Sequence, residues 1–207
     1  MTESTKIEKI ILIVLIVGII AYLVYTNVQR NKGFLTDSVP VLTVEKATIN
    51  VGKTTVDELT NNGYNIGYTD DNYPGLYIVS GLDEEVEPNT HITNALIANE
   101  EQVLADAYLS NYKMKKVNVK DAVVSYVTVN LEGDYITANY KDKLLNDIVY
   151  DENDEFFNGF ESYGDNKVMK KIKAGGSRYA VVMSFDEETK KIDSITIALY
   201  EQFEKTI

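Results

Sequence analysis

The chain has 207 residues, a formal net charge of −12 and no cysteine, which excludes a disulfide framework, a thiolate nucleophile and a thiolate metal site. Residues 1–32 carry +2 of that charge, which leaves −14 on residues 33–207. So negative a field argues against nucleic acid, whose phosphates need Lys and Arg, and against attraction to anionic lipid heads.

The first element is "IILIVLIVGIIAYLVY" (Ile10–Tyr25), an unbroken run of apolar or small residues and interfacial tyrosines. Extended to residues 10–29, it reaches the roughly 20 residues that a spanning helix needs. Tyr22 and Tyr25 fall where an aromatic belt would lie, and Arg30 and Lys32 close the span. "YTNVQRN" (Tyr25–Asn31) has no small-x-small cleavage site, so the segment reads as an anchor rather than a removable signal. Residues 1–9 form a short cytoplasmic tail in this reading. Lys6 and Lys9 balance Arg30 and Lys32, so the positive-inside rule is tied on side chains. The free α-amine and the lack of a long N-terminal domain favour a C-terminal part outside the cytoplasmic membrane; a cytoplasm-facing anchored domain is the alternative.

"QRNKGFLTDSVP" (Gln29–Pro40) is polar and carries Gly and Pro, so residues 30–40 are expected as a stalk. A strand over Val41–Asn50 follows. "VGKTTVDELT" (Val51–Thr60) contains the "GKTT" of a nucleotide-binding loop, but the glycine that opens such a loop would stand at position 47, which is Ala47. The same letters are a helix start: Thr55 and Glu58 make a capping box, Asp57 and Glu58 suit the positive end of the dipole, and Gly63 supplies a left-handed stop. No nucleotide is expected, only a helix from about Thr55 to Asn62.

Period-two alternation then predicts strands at Leu76–Gly81, Ile92–Ala98, Gln102–Ser110, Val117–Leu131, Lys167–Ala174, Tyr179–Phe185 and Ile192–Tyr200. "GGS" (Gly175–Ser177) and "DEETKK" (Asp186–Lys191) are the turns between the last three. Helical spacing of Tyr140, Leu144, Leu145 and Ile148 predicts a helix over Asn139–Val149; Phe156, Phe157 and Phe160 predict another over Asp154–Tyr163, stopped at Gly164. The fold class is α+β: an N-terminal transmembrane helix, then antiparallel sheet with short helices on one face. Helices and strands recur in both halves, which leaves open two tandem helix-plus-sheet modules, residues 41–131 and 132–207.

Chemistry is sparse. The single histidine, His91, has no partner at zinc-ligand spacing and reads as a surface loop residue before a strand. Acidic clusters lie at Thr69–Asn72, Leu82–Glu87 and Tyr150–Phe156. In the last, Asp151, Asn153 and Glu155 match the first three calcium-loop positions, but Phe156 and Ser162 stand where glycine and glutamate belong. No cofactor and no organised metal site are expected; loose calcium binding by that loop is the residual option.

"INVGKTTVDELTNNGYNI" (Ile49–Ile66), "VEPNT" (Val86–Thr90) and the pair "VLADAYLSNY" with "VKDAVVSYVTV" resemble modules of secreted or membrane-anchored proteins of Gram-positive bacteria. Those units are similar to the tandem modules of β-lactamase inhibitor protein and to small outer-membrane assembly lipoproteins. Asn139–Ile197 resembles a second such module. The resemblance covers roughly residues 41–207 and implies a helix-plus-sheet fold. The inhibitor's disulfides are absent, and none of its enzyme-contacting positions has a match, so β-lactamase inhibition is not implied.

The expected function is a membrane-anchored, extracytoplasmic, non-catalytic binding protein with a protein or peptide partner in the envelope. An envelope hydrolase using carboxylates is the alternative. If Val103, Ala105, Ala107, Leu109, Val127, Val129, Val181, Met183, Ile195 and Ile197 face the helices, alternation throws Tyr108, Tyr126 and Tyr200 to the other face. Those three are the candidate partner surface; cross-strand aromatic pairing is the bland competitor.

Overall fold

The computed structural model describes residues 3–69, 77–78 and 84–206. The chain divides into two compact units, Met1–Phe34 and Leu35–Ile207. The first is α1 (Glu3–Arg30), longer at both ends than the expected span. Its stretch Ile11–Arg30 is long and apolar enough to cross a membrane. Its described apolar side chains, from Ile11 to Val28, are exposed.

The second unit contains β1 (Leu35–Thr36), β2 (Val41–Val44), β3 (Ala47–Asn50), α2 (Val56–Asn61), β4 (Asn65–Thr69), β5 (Tyr77–Ile78), β6 (Glu85–Val86), β7 (His91–Ala98), β8 (Val103–Ser110), β9 (Val117–Asn118), β10 (Val123–Asn130), β11 (Ala138–Tyr140), β12 (Lys143–Leu144), β13 (Glu161–Ser162), β14 (Lys167–Ala174), β15 (Ser177–Phe185), β16 (Ile192–Leu199) and α3 (Tyr200–Thr206). Among the described residues, ten strands form one sheet in the order β1-β14-β15-β16-β10-β8-β7-β4-β5, with β13 also paired to β14. Its neighbours are antiparallel except β1, which runs parallel to β14. A smaller sheet has the order β12-β11-β2-β3, and β6 pairs with β9.

The main core gathers Val127, Val129, Val181, Met183, Ile195 and Ile197 from the large sheet with Leu42, Val44, Ile49, Ala138 and Tyr140 from the small one. Val56 and Leu59 of α2 join them. The expected inner face is therefore buried, in one core that holds residues of the second sheet as well as of α2. Val103 is the exception and lies exposed, beside a register shift at Ala98. The fold is α+β, as the sequence predicts. The 131/132 boundary does not divide the large sheet: β10, before it, pairs along five residues with β16, after it.

Local chemistry explains the elements that sequence reading found. Both bonds of the capping box are present, Glu58 N–H to Thr55 Oγ1 and Thr55 N–H to Glu58 Oε2, and α2 ends before Gly63 at φ 86°. Gly175 and Gly176, at φ 55° and 83°, make the two-residue turn between β14 and β15.

Several expectations are corrected. Val41–Asn50 is a hairpin, because Glu45 takes φ 52° and is held there: its N–H donates to the Thr137 carbonyl and its carboxylate accepts from Thr137 N–H. Asn139–Val149 is not a helix. Lys141 and Asp142 both have positive φ, which closes the β11–β12 hairpin, and Leu145–Asp147 is one 3-10 turn. Four apolar residues at helical spacing serve a hairpin and a turn equally well. Asp154–Tyr163 is likewise a 3-10 turn at Glu155–Phe157, capped by Asp154, followed by β13. Val117–Leu131 breaks at a 3-10 turn over Val119–Asp121, and the last strand ends at Leu199, where α3 begins. β4 was not anticipated. Of the expected strand Leu76–Gly81, Tyr77–Ile78 is β5 and the remainder lies outside the described residues, as do 70–72 and 82–83 of the acidic clusters. The expected stalk is part of the fold at its far end, since Leu35 and Thr36 pair with Ile172 and Lys173.

Candidate functional site

The outer face of the large sheet is built in cross-strand rows. One runs Lys171, Ala180, Ala198, Tyr126, Tyr108 from β14 to β8. The next runs Met169, Val182, Thr196, Thr128, Asp106. α3 lies over part of this face, and Phe203 forms a second, smaller core with Ala180, Val182 and Ala198. Small residues under the helix let it approach; the larger Tyr126, Tyr163, Met169 and Tyr200 pack round its rim, half-buried. The outer face is thus partly sealed by a C-terminal helix that alternation in the strands does not reveal.

Tyr108 and Tyr126 are opposed residues whose rings stack at 4.4 Å, tilted by 16°. This is the cross-strand aromatic pairing expected as the alternative; both residues are half-buried, and Tyr108 joins neither core. Tyr200 is separated from them along the face. Its ring lies near Phe203 and is flanked by Lys171 Nζ at 5.4 Å and the Arg178 guanidinium at 5.8 Å. The three sequence-chosen tyrosines therefore share a sheet face, with two in contact and the third in a basic setting at the start of α3.

That setting includes residues which sequence reasoning passed over. Lys167, Lys171 and Lys173 share one parity on β14 and therefore one face, and Arg178 stands opposite Lys173 on β15. A cavity of about 370 Å³ beside Tyr200 is lined by Gly52, Tyr112, Ser177, Arg178, Leu199 and Glu201. Tyr112 is positioned by its neighbour Asn111, whose buried amide donates to the carbonyls of Val86, Glu87 and Lys115 while its oxygen accepts from Lys113 N–H. The Gln202 amide donates to Tyr112 Oη at 3.3 Å, and Arg178 bonds Glu201 Oε1 at 3.2 Å. A second cavity of about 370 Å³, bordered by Phe203, is lined by Tyr126, Tyr163, Lys167, Ser184, Ser194 and Thr206.

The other candidates are quickly placed. His91 is the first residue of β7, half-buried opposite Ser110, rather than in the preceding loop. Asp151 accepts from the backbone and side chain of Asn153, and Asp154 from Phe156 N–H, so both serve their own turn. Among the described residues no group of three His, Asp or Glu converges as metal ligands. Asp106 and Asp193 have carboxyls raised above the usual range, chiefly by desolvation; they stand on separate strands without a shared partner that would pair them for acid–base work.

The chain matches no protein-family model, no curated protein and no solved structure.

Proposed function

We propose that this chain is a membrane-anchored, non-catalytic binding protein of the cell envelope. In this reading the unit Leu35–Ile207 lies outside the cytoplasmic membrane and meets a protein or peptide partner through the face bearing Tyr108, Tyr126 and Tyr200. The observation that supports it best is the stacked Tyr108–Tyr126 pair at the rim of the part of the sheet that α3 covers, half-buried and with Tyr108 outside both cores. Stacked tyrosines offer a rigid, broad contact with hydroxyl handles and lose little entropy on binding. The outward orientation is part of this proposal, since the flanking side-chain charges are tied. Added protease should remove the unit from intact protoplasts; cleavage only after lysis reverses the orientation.

The binding surface is tested by cross-linking membranes and purifying the full chain. The triple change Tyr108→Ser, Tyr126→Ser, Tyr200→Ser should lose the captured partner while keeping the far-ultraviolet spectrum. Because Tyr126 and Tyr200 pack round Phe203, the variant should also lose about 1–3 kcal/mol of stability. A folded variant with capture unchanged returns the tyrosines to a purely structural role.

A further inference from the structure

The geometry points to a carboxylate-reading cleft at the Tyr200 end of the outer face, which takes an acidic segment of the partner protein. This deepens the binding reading above and rests on it. The unit as a whole is strongly acidic, −14 over residues 33–207, yet Lys171, Lys173 and Arg178 stand together here. Lys171 and Lys173 are two apart on one strand, so about 7 Å separates their Cα atoms, and Arg178 faces Lys173 across the ladder. Among the described residues no carboxylate lies within ion-pairing distance of Lys171 or Lys173. A local excess of cation on an anionic body attracts an acidic segment to one place and repels it elsewhere, which gives register as well as attraction.

The adjoining cavity supplies the reading groups. Arg178 borders it, and its guanidinium already holds a carboxylate, that of Glu201. Tyr112 Oη accepts from Gln202, which leaves its own proton to be donated into the same space. Tyr200, flanked by Lys171 and Arg178, forms an aromatic floor between the cations. Glu201 is the internal stand-in for the incoming acid. Its side chain is 73% exposed and its bond to Arg178 is a surface ion pair, which costs little to exchange. A partner carboxylate takes the place of Glu201 on Arg178 and adds the Tyr112 hydroxyl, while its acidic neighbours lie along Lys171 and Lys173.

The stand-in makes the proposal testable in opposite directions. The full chain in neutral detergent is titrated at low salt with an oligoglutamate peptide, with oligoglutamine as control. Oligoglutamate should bind and oligoglutamine should not, and raised salt should weaken the binding as screening shortens the field. Glu201→Gln removes the internal competitor and should tighten binding several-fold, whereas Arg178→Gln should weaken it at least tenfold. Glu201→Gln changes an exposed side chain, so it serves where Arg178→Gln fails to fold. Equal binding by the wild type and Glu201→Gln, or of both peptides, overturns the cleft. Cross-linked capture that survives in Lys171→Gln, Lys173→Gln, Arg178→Gln but not in the tyrosine variant also overturns it, and leaves the broader binding reading standing.

Discussion

Lys170 Nζ lies 2.9 Å from Asp37 Oδ2, and both groups are drawn into the protein: the lysine side chain is 8% exposed and the carboxylate 25%. Lys170 also donates to the Asn158 carbonyl at 3.1 Å, and Lys141 reaches the same Asp37 oxygen at 2.9 Å. The pair fastens the segment after β1 to β14. Lys170 shares the parity of Val168, Ile172 and Ala174, so its charge is carried on the core side and needs this partner. Removing Asp37 leaves the Lys170 ammonium buried with the Asn158 carbonyl in place of a counter-charge, whereas removing Lys170 leaves Asp37 with Lys141. Asp37→Asn should destabilise residues 33–207 by about 3 kcal/mol in urea unfolding, and the double change with Lys170→Met should recover part of that loss. A double variant no better than the single one shows that packing, not charge, holds the segment.

The same pair sets a pH dependence. Burial raises the Asp37 carboxyl, but the bonds from Lys170, Lys141 and Ser38 N–H outweigh it and hold the group far below the usual carboxylate range. A carboxylate whose folded pKa is depressed contributes fully above its unfolded value, about pH 4, and loses that contribution as pH falls towards the folded value. The stability difference between the wild type and Asp37→Asn should therefore be constant from pH 7 to about 5 and shrink below about 4. A difference independent of pH across that range contradicts the assignment. Asp106 runs the other way, because its folded pKa is raised. Asp106→Asn should gain stability at neutral pH, an advantage that shrinks as the pH falls through the raised folded value and is gone below the unfolded carboxyl value, about 4.

Phe203 carries the docking of α3, since it is the helix residue in the small core with Ala180, Val182 and Ala198. A seven-residue helix has little stability of its own, so loss of that ring should free the segment locally rather than unfold the body. In hydrogen exchange, Phe203→Ala should expose the amides of 201–206 while β15 and β16 stay protected. Simultaneous loss of protection in those strands shows instead that α3 is integral to the global fold.

The β11–β12 turn holds Asp142 at φ 59°, a conformation in which glycine is free of Cβ strain. Asp142→Gly should raise stability by about 0.5 kcal/mol, read as a small rise in melting temperature. A fall indicates that the Asp142 side chain does more than fill the turn.

Residues 33–207 should also melt in one cooperative transition that a chelator leaves unmoved, since Asp151 and Asp154 are already used as turn and cap acceptors. A lower transition temperature with chelator restores the calcium loop.

What sequence reading could see was local. The Thr55–Glu58 capping box needs only its four residues, and β14 to β16 announce themselves by alternation and the Gly175–Gly176 turn. It failed where the backbone takes a conformation its residue types do not advertise, as at Lys141 and Asp142. It failed again where partners are distant in the chain: nothing near Asp37 names Lys170, although the parity of "VMKKIKA" already puts that lysine among the core residues. The face of Tyr108 and Tyr126 was legible from period two. The α3 cover and the Arg178–Glu201 bond were not, because both depend on how the chain returns after Leu199.

The outer border of β14 has a consequence for how this unit meets other proteins. β13 occupies it at Val168 and Met169, and β1 at Ile172 and Lys173. Two fragments of two residues each are too short to extend the ladder further, but they use up backbone donors and acceptors that another strand would seek. At this end of the sheet the route to edge-to-edge polymerisation is blocked. In the proposed binding role, recognition there falls to side chains on the face, whose identity can be selected, rather than to main-chain pairing, which accepts almost any sequence.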